Sequence, residues 1–465
     1  MTGPRRTKIV ATIGPACDKP GVLERVLSAG VDVARLNASH GELPELAGRL
    51  AAIRVWAKTS GRVVGVLLDL PGPKLRVGEM APGTVLSAGT EFVLSAGEGS
   101  GNAERACVTW DGLAADVSDG DRILLADGAL ELRVLSAQGG DVVTRVVRGG
   151  PLGSHKGVNV PGVSLRVDGV TSRDLELLAW GLDAGVDLVA QSFVRSAHDI
   201  ERLRSAMGER AVPIVAKVEK YEALGDLDAI VAAADAVMVA RGDLAVETSP
   251  ESVPPAQRRI VEACRTSGRP VVVATQMLES MTHAPSPTRA EASDVATAVF
   301  EGADAVMLSE ETAIGEYPVE AVATMDRVCR AAEDAGPSVP VPAGEAAAGS
   351  PVAAAAFALA RDTGARVIVT ATSSGATARA VASLRPPQPV LAVTPHVAVA
   401  GALAIVWGVI CAVVAPTHTI EETTQTAVEA ARRLGLAGAG ERAVLTAGTT
   451  SGVIGSSDLV RVITL

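Results

Sequence analysis

Aromatic residues are scarce in this sequence. Phe, Trp and Tyr together account for 2% of the 465 residues, whereas hydrophobic residues of all kinds account for 48%. Large cores are therefore expected, but they must be built from Val, Ala and Leu rather than from rings. The length alone predicts roughly two to four domains.

Cysteine is also rare, and its five copies are odd in number and widely separated. None stands in a CxxC pair or beside histidine at the spacing of metal ligands. This pattern excludes a disulfide framework and a zinc site, and it predicts reduced, buried thiols in a cytoplasmic protein. The five positions are Cys17, Cys107, Cys264, Cys329 and Cys411.

An excess of positive charge is absent as well. Lys and Arg number 42 against 53 Asp and Glu, which gives a net charge of −11, so no basic surface indicates a nucleic-acid partner. The first residues, MTGPRRTK, carry charge, but no apolar run of signal-peptide length follows them. We therefore expect a soluble, cytoplasmic protein.

One segment, 397–416, has the length and composition of a transmembrane helix, because it contains no charged residue over about twenty positions. Its middle carries Trp407 and Gly408, its composition changes from Ala/Leu-rich to β-branched, and no Lys or Arg anchors either end. The segment is therefore predicted to form a short buried helix, a turn and a buried strand, with no membrane partner.

What the sequence does contain, up to residue 332, is a repeated alternation of apolar runs of strand length with amphipathic stretches. Near-continuous apolar strands between helices indicate a parallel sheet buried on both faces. The strand candidates are Ile9–Ile13, Val33–Ala38, Val64–Leu70, Asp187–Phe193, Ile214–Glu219, Ala236–Ala240, Pro270–Thr275 and Ala305–Leu308.

Four of these strands share an entry signature, namely a small residue, any residue, Asp and an apolar residue. The four copies are Gly30–Val33, Gly185–Leu188, Ala233–Ala236 and Gly302–Ala305. Weak internal repetition of this kind is typical of eight βα units closed into a barrel. The predicted fold class is α/β, a (β/α)8 TIM barrel with an inserted small β-barrel lid domain and a C-terminal α/β domain.

In such barrels the active site lies at the C-terminal ends of the strands. Polar side chains collect at these predicted ends, and together they favour a functional rim over independent loop residues. The rim residues are Arg35, Asn37, Ser39, Asp69, Ser192, Arg195, Lys217, Glu219, Asp243, Thr275, Gln276, Glu310, Glu311 and Thr312.

The stretch from Pro213 to Asp243 concentrates this chemistry. Lys217 and Glu219 are two positions apart in a strand, so they face the same side, and Asp243 follows the next strand. A carboxylate pair suits a hard cation such as Mg²⁺, and Lys offers a point charge for a phosphoryl group. Taken alone, the stretch is equally compatible with a surface ion pair.

The barrel pattern is interrupted between 71 and 159 by Gly-rich, alternating runs that predict a small β-domain. Because it is inserted beside the expected site, we interpret it as a lid. The predicted domains are therefore 1–70 with 160–336 as barrel, 71–159 as lid, and 337–465 as a C-terminal α/β domain. The last of these begins with a Pro/Ala/Gly-rich linker.

A short loop in the C-terminal domain joins a strand to a helix through small residues. Backbone N–H groups at such a helix start can hold a phosphate, although plain connections of this type are common. The loop comprises Thr372, Ser373, Ser374, Gly375, Ala376 and Thr377.

Nine motifs spread over nearly the whole chain carry a resemblance to one family. They are TKIVATIGPA, ARLNASHG, KGVNVPG, QSFVRSA, PIVAKVEKYEAL, VMVARGDLAVE, VVVATQMLESM, PTRAEASDVATAV and GADAVMLSEETAIGEYP. The sequence resembles the pyruvate kinases. The resemblance implies a homotetramer of lidded barrels with an allosteric C-terminal domain. It also implies transfer of the phosphoryl group of phosphoenolpyruvate to ADP, giving pyruvate and ATP in the last step of glycolysis.

The resemblance further implies roles for individual residues. Glu219 and Asp243 match ligands of the divalent ion, Mg²⁺ or Mn²⁺. Lys217 and Arg35 match residues that contact the transferring phosphoryl group, and Asp243 is expected to contact substrate as well. Thr275 matches a residue near the enolate carbon in the proton relay.

Further matches concern the substrate backbone contact and the nucleotide. Gly242 is expected to line the substrate. Asn37 and His40 lie in the nucleotide region by resemblance, and Arg76 and Lys156, at the two lid hinges, match residues that meet the nucleotide phosphates. A phosphorylated allosteric effector is expected at the loop that begins at Thr372.

The sequence departs from the family at the monovalent-ion site. Asn37, Ser39, Asp69 and the carbonyl of Leu70 match the K⁺ ligands of the family, but Lys74 replaces a glutamate that many members carry. An ammonium there can supply the charge of K⁺. We therefore expect that activity does not require K⁺.

Three further departures remove no catalytic group. Ala38 replaces a Phe, and Ala245 and Glu310 replace glycines of the family. Ala245 would be strained if its position required positive φ. Rival functions are a carbon–carbon chemistry barrel that uses Mg²⁺, which needs no lid, and a silent metabolite sensor, which would not need Lys217.

Overall fold

The computed structural model describes residues 3–97, 99–336, 350–448 and 457–465. The chain begins with three strands and two helices of a barrel. In chain order they are β1 (Lys8–Thr12), α1 (Val22–Ser28), β2 (Val33–Asn37), α2 (Leu43–Ser60) and β3 (Gly65–Leu70).

The inserted segment folds as a β-domain, as predicted, but its described strands form a six-stranded sheet and a two-stranded pair, not a closed barrel. Its elements are β4 (Val85–Leu86), β5 (Glu91–Ala96), β6 (Arg105–Val108), α3 (Leu113–Asp116), β7 (Arg122–Leu125), β8 (Leu130–Gln138), β9 (Asp141–Arg148), β10 (Gly150–Pro151) and β11 (Val158–Asn159). A sheet of order β11-β7-β8-β9-β5-β6 is accompanied by the pair β10-β4. Its separate core includes Phe92, Leu94 and Ile123, all fully buried.

The barrel then resumes and is completed. Its remaining elements are α4 (Ser172–Ala184), β12 (Leu188–Gln191), α5 (Ala197–Met207), β13 (Ile214–Val218), α6 (Tyr221–Gly225), α7 (Leu227–Ala233), β14 (Ala236–Ala240), α8 (Arg241–Glu247), α9 (Val253–Thr266), β15 (Val271–Ala274), α10 (Arg289–Glu301), β16 (Ala305–Leu308), α11 (Glu310–Ala313) and α12 (Pro318–Ala335).

The barrel strands pair in parallel and close in the order β1-β16-β15-β14-β13-β12-β3-β2. Every one of the eight predicted strands is present, with ends that differ by at most two residues. Five consecutive residues of β14, AVMVA, are all buried, which explains the near-continuous apolar runs, because helices cover the outer face while side chains fill the interior.

The entry signature has a structural explanation. Each of its four aspartates stands just before a barrel strand and accepts the backbone N–H of a residue in a neighbouring strand. The pairs, at 2.7–3.1 Å, are Asp32 with Ile9, Asp187 with Val66, Asp235 with Ile214, and Asp304 with Val271. The signature therefore satisfies backbone donors at the N-terminal face of the barrel.

The C-terminal part forms the predicted α/β domain. Its elements are α13 (Pro351–Thr363), β17 (Val367–Ala371), α14 (Ala376–Ser383), β18 (Val390–Thr394), α15 (Val397–Leu403), β19 (Val409–Val413), α16 (Ile420–Arg433), β20 (Arg442–Gly448) and β21 (Ser457–Thr464). The sheet order is β19-β18-β17-β20-β21, in which only β21 runs antiparallel among the described strands. The predicted linker falls largely on 337–349, outside the described residues.

The apolar segment 397–416 forms α15, a turn and β19, which confirms the predicted order of elements. The predicted burial is only partial, because Val397 of the helix and Val413 of the strand are exposed. In the part of the chain that the structure describes, no helix is long and apolar enough to cross a membrane. Gly401 in α15 meets the N-terminal face of the barrel, where a Cβ would lie 2.2–2.5 Å from the carboxyl group of Asp187. A residue without a side chain is therefore required for this close approach.

The C-terminal domain packs on the N-terminal face of the barrel, opposite the rim. Val10 and Leu67 of the barrel interior belong to the same buried cluster as Ile368 and Leu403 of the C-terminal domain. Polar contacts reinforce the interface; for example, Nζ of Lys8 donates to the carbonyl of Val409 at 2.6 Å. The two domains therefore share a continuous core.

Candidate active site

Lys217 and Glu219 lie at the C-terminal end of β13 and face the same side, as strand alternation predicts. Nζ of Lys217 lies 3.0 Å from Oε1 of Glu219. The Lys217 side chain is 11% exposed and that of Glu219 is 2% exposed. The alternative of a solvated surface ion pair is therefore wrong, because this pair is buried at the barrel rim.

Lys217 is shared with a second carboxylate. Its Nζ lies 3.2 Å from Oδ1 of Asp69 at the end of β3 and donates to Oγ of Ser192 at 2.7 Å. Nε of Arg35, in β2, donates to the other oxygen of Asp69 at 2.6 Å, and its Nη1 donates to Oγ1 of Thr12 at 2.8 Å. The ends of β1, β2, β3 and β13 thus bring two cations to one buried carboxylate.

The pKa values reflect this sharing. Burial acts to raise the pKa of Asp69, but Lys217 and Arg35 outweigh it and the pKa is lowered. Burial acts to lower the pKa of Lys217, yet Asp69 and Glu219 raise it, so the ammonium stays charged. Burial raises the pKa of Glu219, and Lys217 only partly offsets it because Asp243 and Asp69 add negative charge. Glu219 therefore lacks sufficient positive charge nearby.

Asp243 lies in the first turn of α8, directly after β14, where the helix dipole favours a carboxylate. Lys74 places its Nζ 3.5 Å from Oδ1 of Asp243 and 3.7 Å from Oδ1 of Asp127. Asp127 belongs to the β7–β8 turn of the lid. Lys74 thus bridges a rim carboxylate and the lid, a contact that the sequence did not predict.

The predicted monovalent ligands make protein contacts of their own. Oδ1 of Asn37 accepts the N–H of Ser39 at 3.1 Å. The carbonyl of Leu70 accepts from Oγ of Ser192 at 2.7 Å, and Asp69 holds Arg35 and Lys217 as described.

Gly242 and Thr275 meet across the rim from β14 and β15. The N–H of Gly242 donates to Oγ1 of Thr275 at 2.8 Å, and that hydroxyl donates to the carbonyl of Ala274 at 2.6 Å. Thr275 has φ of +70° and Gln276 has φ of +54°. Positive φ is strained for a β-branched residue and is concentrated at functional sites, but the sequence carries no signal for it.

The side chain of Arg241 is hydrogen-bonded to the backbone of this strained turn. Its Nη2 donates to the carbonyl of Thr275 at 2.6 Å, and its Nη1 lies 2.7 Å from a carboxyl oxygen of Asp294 in α10. The side chain is buried. Arg241 therefore fixes the backbone of Thr275. Ala245 lies within α8 and is not among the residues with positive φ, so the possible strain at this position is absent.

The nucleotide candidates lie at the open side of the rim. His40 lies beside Arg76, Arg35 and Lys74 and keeps part of its surface exposed. The partial burial of its ring, and then these three cations, lower its pKa. Arg76 donates through Nη1 to the carbonyl of His155 at 2.9 Å. Lys156 is the next residue and is exposed. The structure thus brings His40 close to Arg76, Arg35 and Lys74, and such a positive cluster suits an anionic polyphosphate.

The lid is tied to the barrel by residues that the sequence did not single out. Nδ2 of Asn159 donates to Oε1 of Glu247 at 2.7 Å, and Nζ of Lys220 lies 2.9 Å from the same oxygen. The hydroxyl of Tyr221 donates to the carbonyl of Gly162 at 3.1 Å. No sequence pattern links these residues, because their contacts depend on how the lid folds back.

Glu311, another predicted rim residue, is buried and structural. Its carboxylate accepts the N–H of Leu278 at 3.0 Å and that of Ser309 at 2.6 Å. Arg195 likewise donates to the carbonyl groups of Leu165 and Val167, at 2.7 and 2.8 Å. These two rim residues therefore position loops.

The loop from Thr372 to Thr377 joins β17 to α14 as predicted. Oγ1 of Thr372 accepts the N–H of Gly375 at 2.8 Å, and Gly375 has φ of +79°. Oγ1 of Thr377 lies 2.6 Å from Oγ of Ser457. Two hydroxyl groups of the loop therefore already make hydrogen bonds within the protein. Binding of a phosphate at this loop stays a prediction.

Among residues 3–97, 99–336, 350–448 and 457–465, no group of three or more His, Cys, Asp and Glu side chains is arranged to hold a metal ion. Glu219 and Asp243 provide two carboxylates. Mg²⁺ in phosphoryl-transfer sites is bound by one or two carboxylates together with substrate phosphates and water, so a pair is the donor set that such an ion requires.

The closed barrel, the inserted β-domain beside its rim and the buried cations joined to carboxylates there are features that fit a phosphotransferase. Two family models match the chain, "Pyruvate kinase, barrel domain" over residues 4–322 and "Pyruvate kinase, alpha/beta domain" over 350–463. The chain belongs to the pyruvate kinase family.

Individual relatives agree with this assignment. A pyruvate kinase of Geobacillus stearothermophilus is 44% identical over 98% of this chain and 80% of its own length. A pyruvate kinase of Mycobacterium intracellulare is 42% identical over 98% of both chains. The crystal structure of a pyruvate kinase from Cryptosporidium parvum matches with a TM-score of 0.90 and 33% identity, covering 99% of this chain and 96% of that one. The predicted fold class and activity are both confirmed.

Proposed function

We propose that this chain transfers the phosphoryl group of phosphoenolpyruvate to ADP at the rim formed by Lys217, Arg35, Glu219, Asp243 and Thr275. The observation that carries the proposal is the buried Lys217, shared by carboxylates from two barrel strands. A phosphoryl group in transfer spreads negative charge over its oxygens, and preorganised cations in a water-poor site stabilise that charge.

Glu219 and Asp243 would hold the divalent cation, Mg²⁺ or Mn²⁺. The raised pKa of Glu219, caused by burial beside Asp243 despite Lys217, supports this assignment, since a divalent charge would meet the need for positive charge there. When bound, such an ion neutralises charge on phosphate and carboxylate oxygens.

Lys217 and Arg35 would act on the phosphoryl group itself. Both side chains now contact Asp69, which orients them towards the rim. On substrate binding their remaining N–H donors would turn to phosphoryl oxygens. The bond from phosphorus to the enol oxygen then breaks, a bond to a terminal oxygen of ADP forms, and the enolate of pyruvate remains.

Thr275 would take part in protonating that enolate. Its hydroxyl already accepts a hydrogen bond from Gly242 and donates one to Ala274, so its orientation is fixed. The enolate carbon gains a proton along a path that includes this hydroxyl, and solvent restores the proton. Gly242 would present its backbone to the substrate.

Asn37, His40, Arg76 and Lys156 would contact the nucleotide. The low pKa of His40, which burial and then the neighbouring cations cause, keeps its imidazole neutral and able to accept or donate a hydrogen bond. Arg76 and Lys156 belong to the lid, so binding of nucleotide phosphates would favour lid closure.

The family in general uses both Mg²⁺ and K⁺. The monovalent site of Asn37, Ser39, Asp69 and Leu70 is proposed to be dispensable here, because the ammonium of Lys74 brings a fixed charge to the same rim. Activity is therefore expected without K⁺.

Domain roles follow from position. We assign 1–70 and 160–336 to catalysis, 71–159 to the lid, and 337–465 to regulation and assembly into a homotetramer. The loop Thr372–Thr377 is proposed to bind a phosphorylated effector. The cytoplasmic location stays a prediction.

The test measures pyruvate formation from phosphoenolpyruvate and ADP with Mg²⁺, for wild type and Lys217→Met. We expect kcat to fall at least about 100-fold in the variant. Lys58→Met is the matched control, because Lys58 is exposed on α2 and its loss should leave kcat unchanged. Circular dichroism and the urea midpoint would verify folding. Wild-type turnover in a folded Lys217→Met would overturn the proposed role.

A further inference from the structure

A cavity lies between the barrel and the C-terminal domain. It is at the N-terminal face of the barrel and therefore at the opposite end from the rim. Its volume is about 350 Å³, within the size range of small-molecule sites. The barrel contributes α9, α10 and α12 to the walls. The C-terminal domain contributes α13 and the loops that precede β18 and β19. The walls include Arg6, Arg265, Phe300, Phe357, Arg385 and Trp407.

The composition of these walls is unusual for this protein. The chain has ten aromatic residues in 465, yet Phe300, Phe357 and Trp407 all line this one cavity. Val299 and Ala332 extend the apolar surface. The cavity therefore offers an apolar wall large enough to contact a flat ring.

The same walls are positively charged. A narrower cleft adjoins the cavity and shares Arg265 and Arg385 with it, and adds Arg269 and Arg379. Together with Arg6, five guanidinium groups of the described residues line the two spaces, against two carboxylates in the same part of the chain, those of Asp304 and Glu333. This positive excess occurs in a chain whose net charge is −11.

Two of the guanidinium groups, those of Arg265 and Arg385, lie close enough to repel each other. Burial, and next the charge of Arg385, lower the pKa of Arg265, so the two cations crowd one another. Glu333 is engaged by the backbone, since it accepts the N–H groups of Arg6 and Thr7 at 2.6–3.1 Å. An additional negative charge at this place would be favourable.

The guanidinium groups of Arg385 and Arg6 both pack against the indole ring of Trp407. The guanidinium carbon of Arg385 lies 4.8 Å from the ring centroid of Trp407, and that of Arg6 lies 5.6 Å from it. Stacking on a ring uses the face of a guanidinium and leaves the in-plane N–H donors available. The indole thus holds both guanidinium groups at the cavity wall, where Nη2 of Arg6 also donates to the carbonyl of Pro387 at 2.7 Å.

One N–H donor group of Arg385 has no hydrogen-bond partner within the described residues. Its Nη2 donates to Oδ2 of Asp304 and to the carbonyl of Gly302, both at 2.9 Å. Its Nη1 is buried and has no hydrogen-bond partner within the described residues. A buried charged donor without a partner costs free energy, and an oxyanion in the cavity would remove that cost.

We propose that this interdomain cavity is a binding site for a small oxyanion, a carboxylate or a phosphate, carried on a flat apolar ring. Arg385, Arg6 and Arg265 would hold the anionic group, and Phe300, Phe357 and Trp407 would contact the ring. The site is separate from the catalytic rim and from the loop at Thr372, so it goes beyond the proposed function.

Binding there would tie the two domains together. The walls belong to both, so a ligand that fits the assembled cavity stabilises the docked arrangement by mass action. The melting temperature should therefore rise with ligand concentration, whether or not turnover changes.

Phenyl phosphate and benzoate serve as probes, with inorganic phosphate as the anion without a ring and benzyl alcohol as the ring without an anion. Binding is measured by calorimetry, by the melting temperature and by tryptophan fluorescence of the full chain. We expect at least one ring-bearing anion to bind saturably, at least about 10-fold more tightly than either partial probe. The comparison of phenyl phosphate with benzoate distinguishes a phosphate from a carboxylate site.

Two variants locate the probe. Arg6→Gln should weaken binding about 10-fold or more, since a hydrogen bond from a charged group is lost; Arg361→Gln, an exposed arginine on α13, is the matched control and should bind as wild type. Trp407→Phe should keep calorimetric binding but lose most of the fluorescence change. Neither Arg6 nor Trp407 belongs to the catalytic rim, so kinase activity should be unchanged in the absence of probe.

Several outcomes would overturn the proposal. One is the absence of saturable binding by both ring-bearing anions. Another is binding that phosphoenolpyruvate displaces competitively, which would place the probe at the rim. A third is equal weakening by Arg6→Gln and Arg361→Gln, which would indicate general charge attraction. Because the readouts do not depend on turnover, failure here is distinguishable from failure of the proposed catalytic roles.

Discussion

The ammonium of Lys74 lies 3.5 Å from the carboxylate of Asp243, so a fixed cation from the lid junction stands beside a proposed Mg²⁺ ligand. Lys74→Glu would replace this cation with a carboxylate. We expect the variant to depend on K⁺, with kcat at least about 10-fold higher in KCl than in tetramethylammonium chloride at equal ionic strength. Wild type should differ little between the salts.

Lys74→Met is the companion variant because it removes the cation without adding an anion. It should show an intermediate dependence on K⁺. A large loss of wild-type activity on replacing K⁺ would contradict the prediction, as would a Lys74→Glu variant indifferent to the salt.

Thr275 offers a test of the proton relay. Thr275→Val keeps the branched shape but removes the hydroxyl that accepts from Gly242, so kcat should fall about 100-fold. Thr275→Ser keeps the hydroxyl and should lose far less. Steady-state kinetics and proton exchange at the methyl carbon of pyruvate would measure both. If the two variants behaved alike, the hydroxyl would have no role in proton transfer.

Asp304 is predicted to hold the two domains together. It accepts from Arg385 of the C-terminal domain, and its removal would leave a charged, mostly buried guanidinium without its carboxylate. Asp304→Ala should lower the free energy of unfolding by about 3–5 kcal/mol. The control Asp168→Ala breaks only an exposed pair with Arg202 and should change it by less than about 0.5 kcal/mol. Urea denaturation measures both; similar values would refute the prediction.

Two aspartates of the same entry signature should respond to pH with opposite sign. Burial raises the pKa of Asp187 from 3.8 to about 6, and Arg54 does not fully compensate. Between these values the folded state keeps a proton that the unfolded state has lost, so rising pH reduces stability. The stability of wild type relative to Asp187→Asn should fall by about 2 kcal/mol from pH 4 to pH 7.

Asp32 is the opposite case. Burial acts to raise its pKa, but Arg5 and Lys8 prevail and the pKa is lowered. The unfolded state then binds more protons, so the stabilisation is present above pH 3.8 and is lost on acidification below it. Relative to Asp32→Asn, wild type should lose stability as the pH falls. Denaturation curves from pH 3 to pH 7 test both residues, and slopes of the same sign would contradict the assignment.

Much of the fold could be predicted because its determinants are local. Eight apolar runs predicted the barrel strands, and the Gly-rich alternating stretch predicted the inserted β-domain. Lys217 and Glu219 were expected to face one side, and they lie 3.0 Å apart. The carboxyl ends of parallel strands meet at one rim, so the polar residues after those strands were expected to gather there.

The sequence by itself therefore determined the order of elements, the rim residues and the family. Only the tertiary structure decided that Lys217 is shared with Asp69, that Lys74 joins Asp243 to Asp127, that Thr275 has positive φ, and that three aromatic rings and five arginines converge between two domains. These features depend on contacts between residues far apart in the chain. Local propensity and periodicity carry no information about such contacts, because packing across elements sets them.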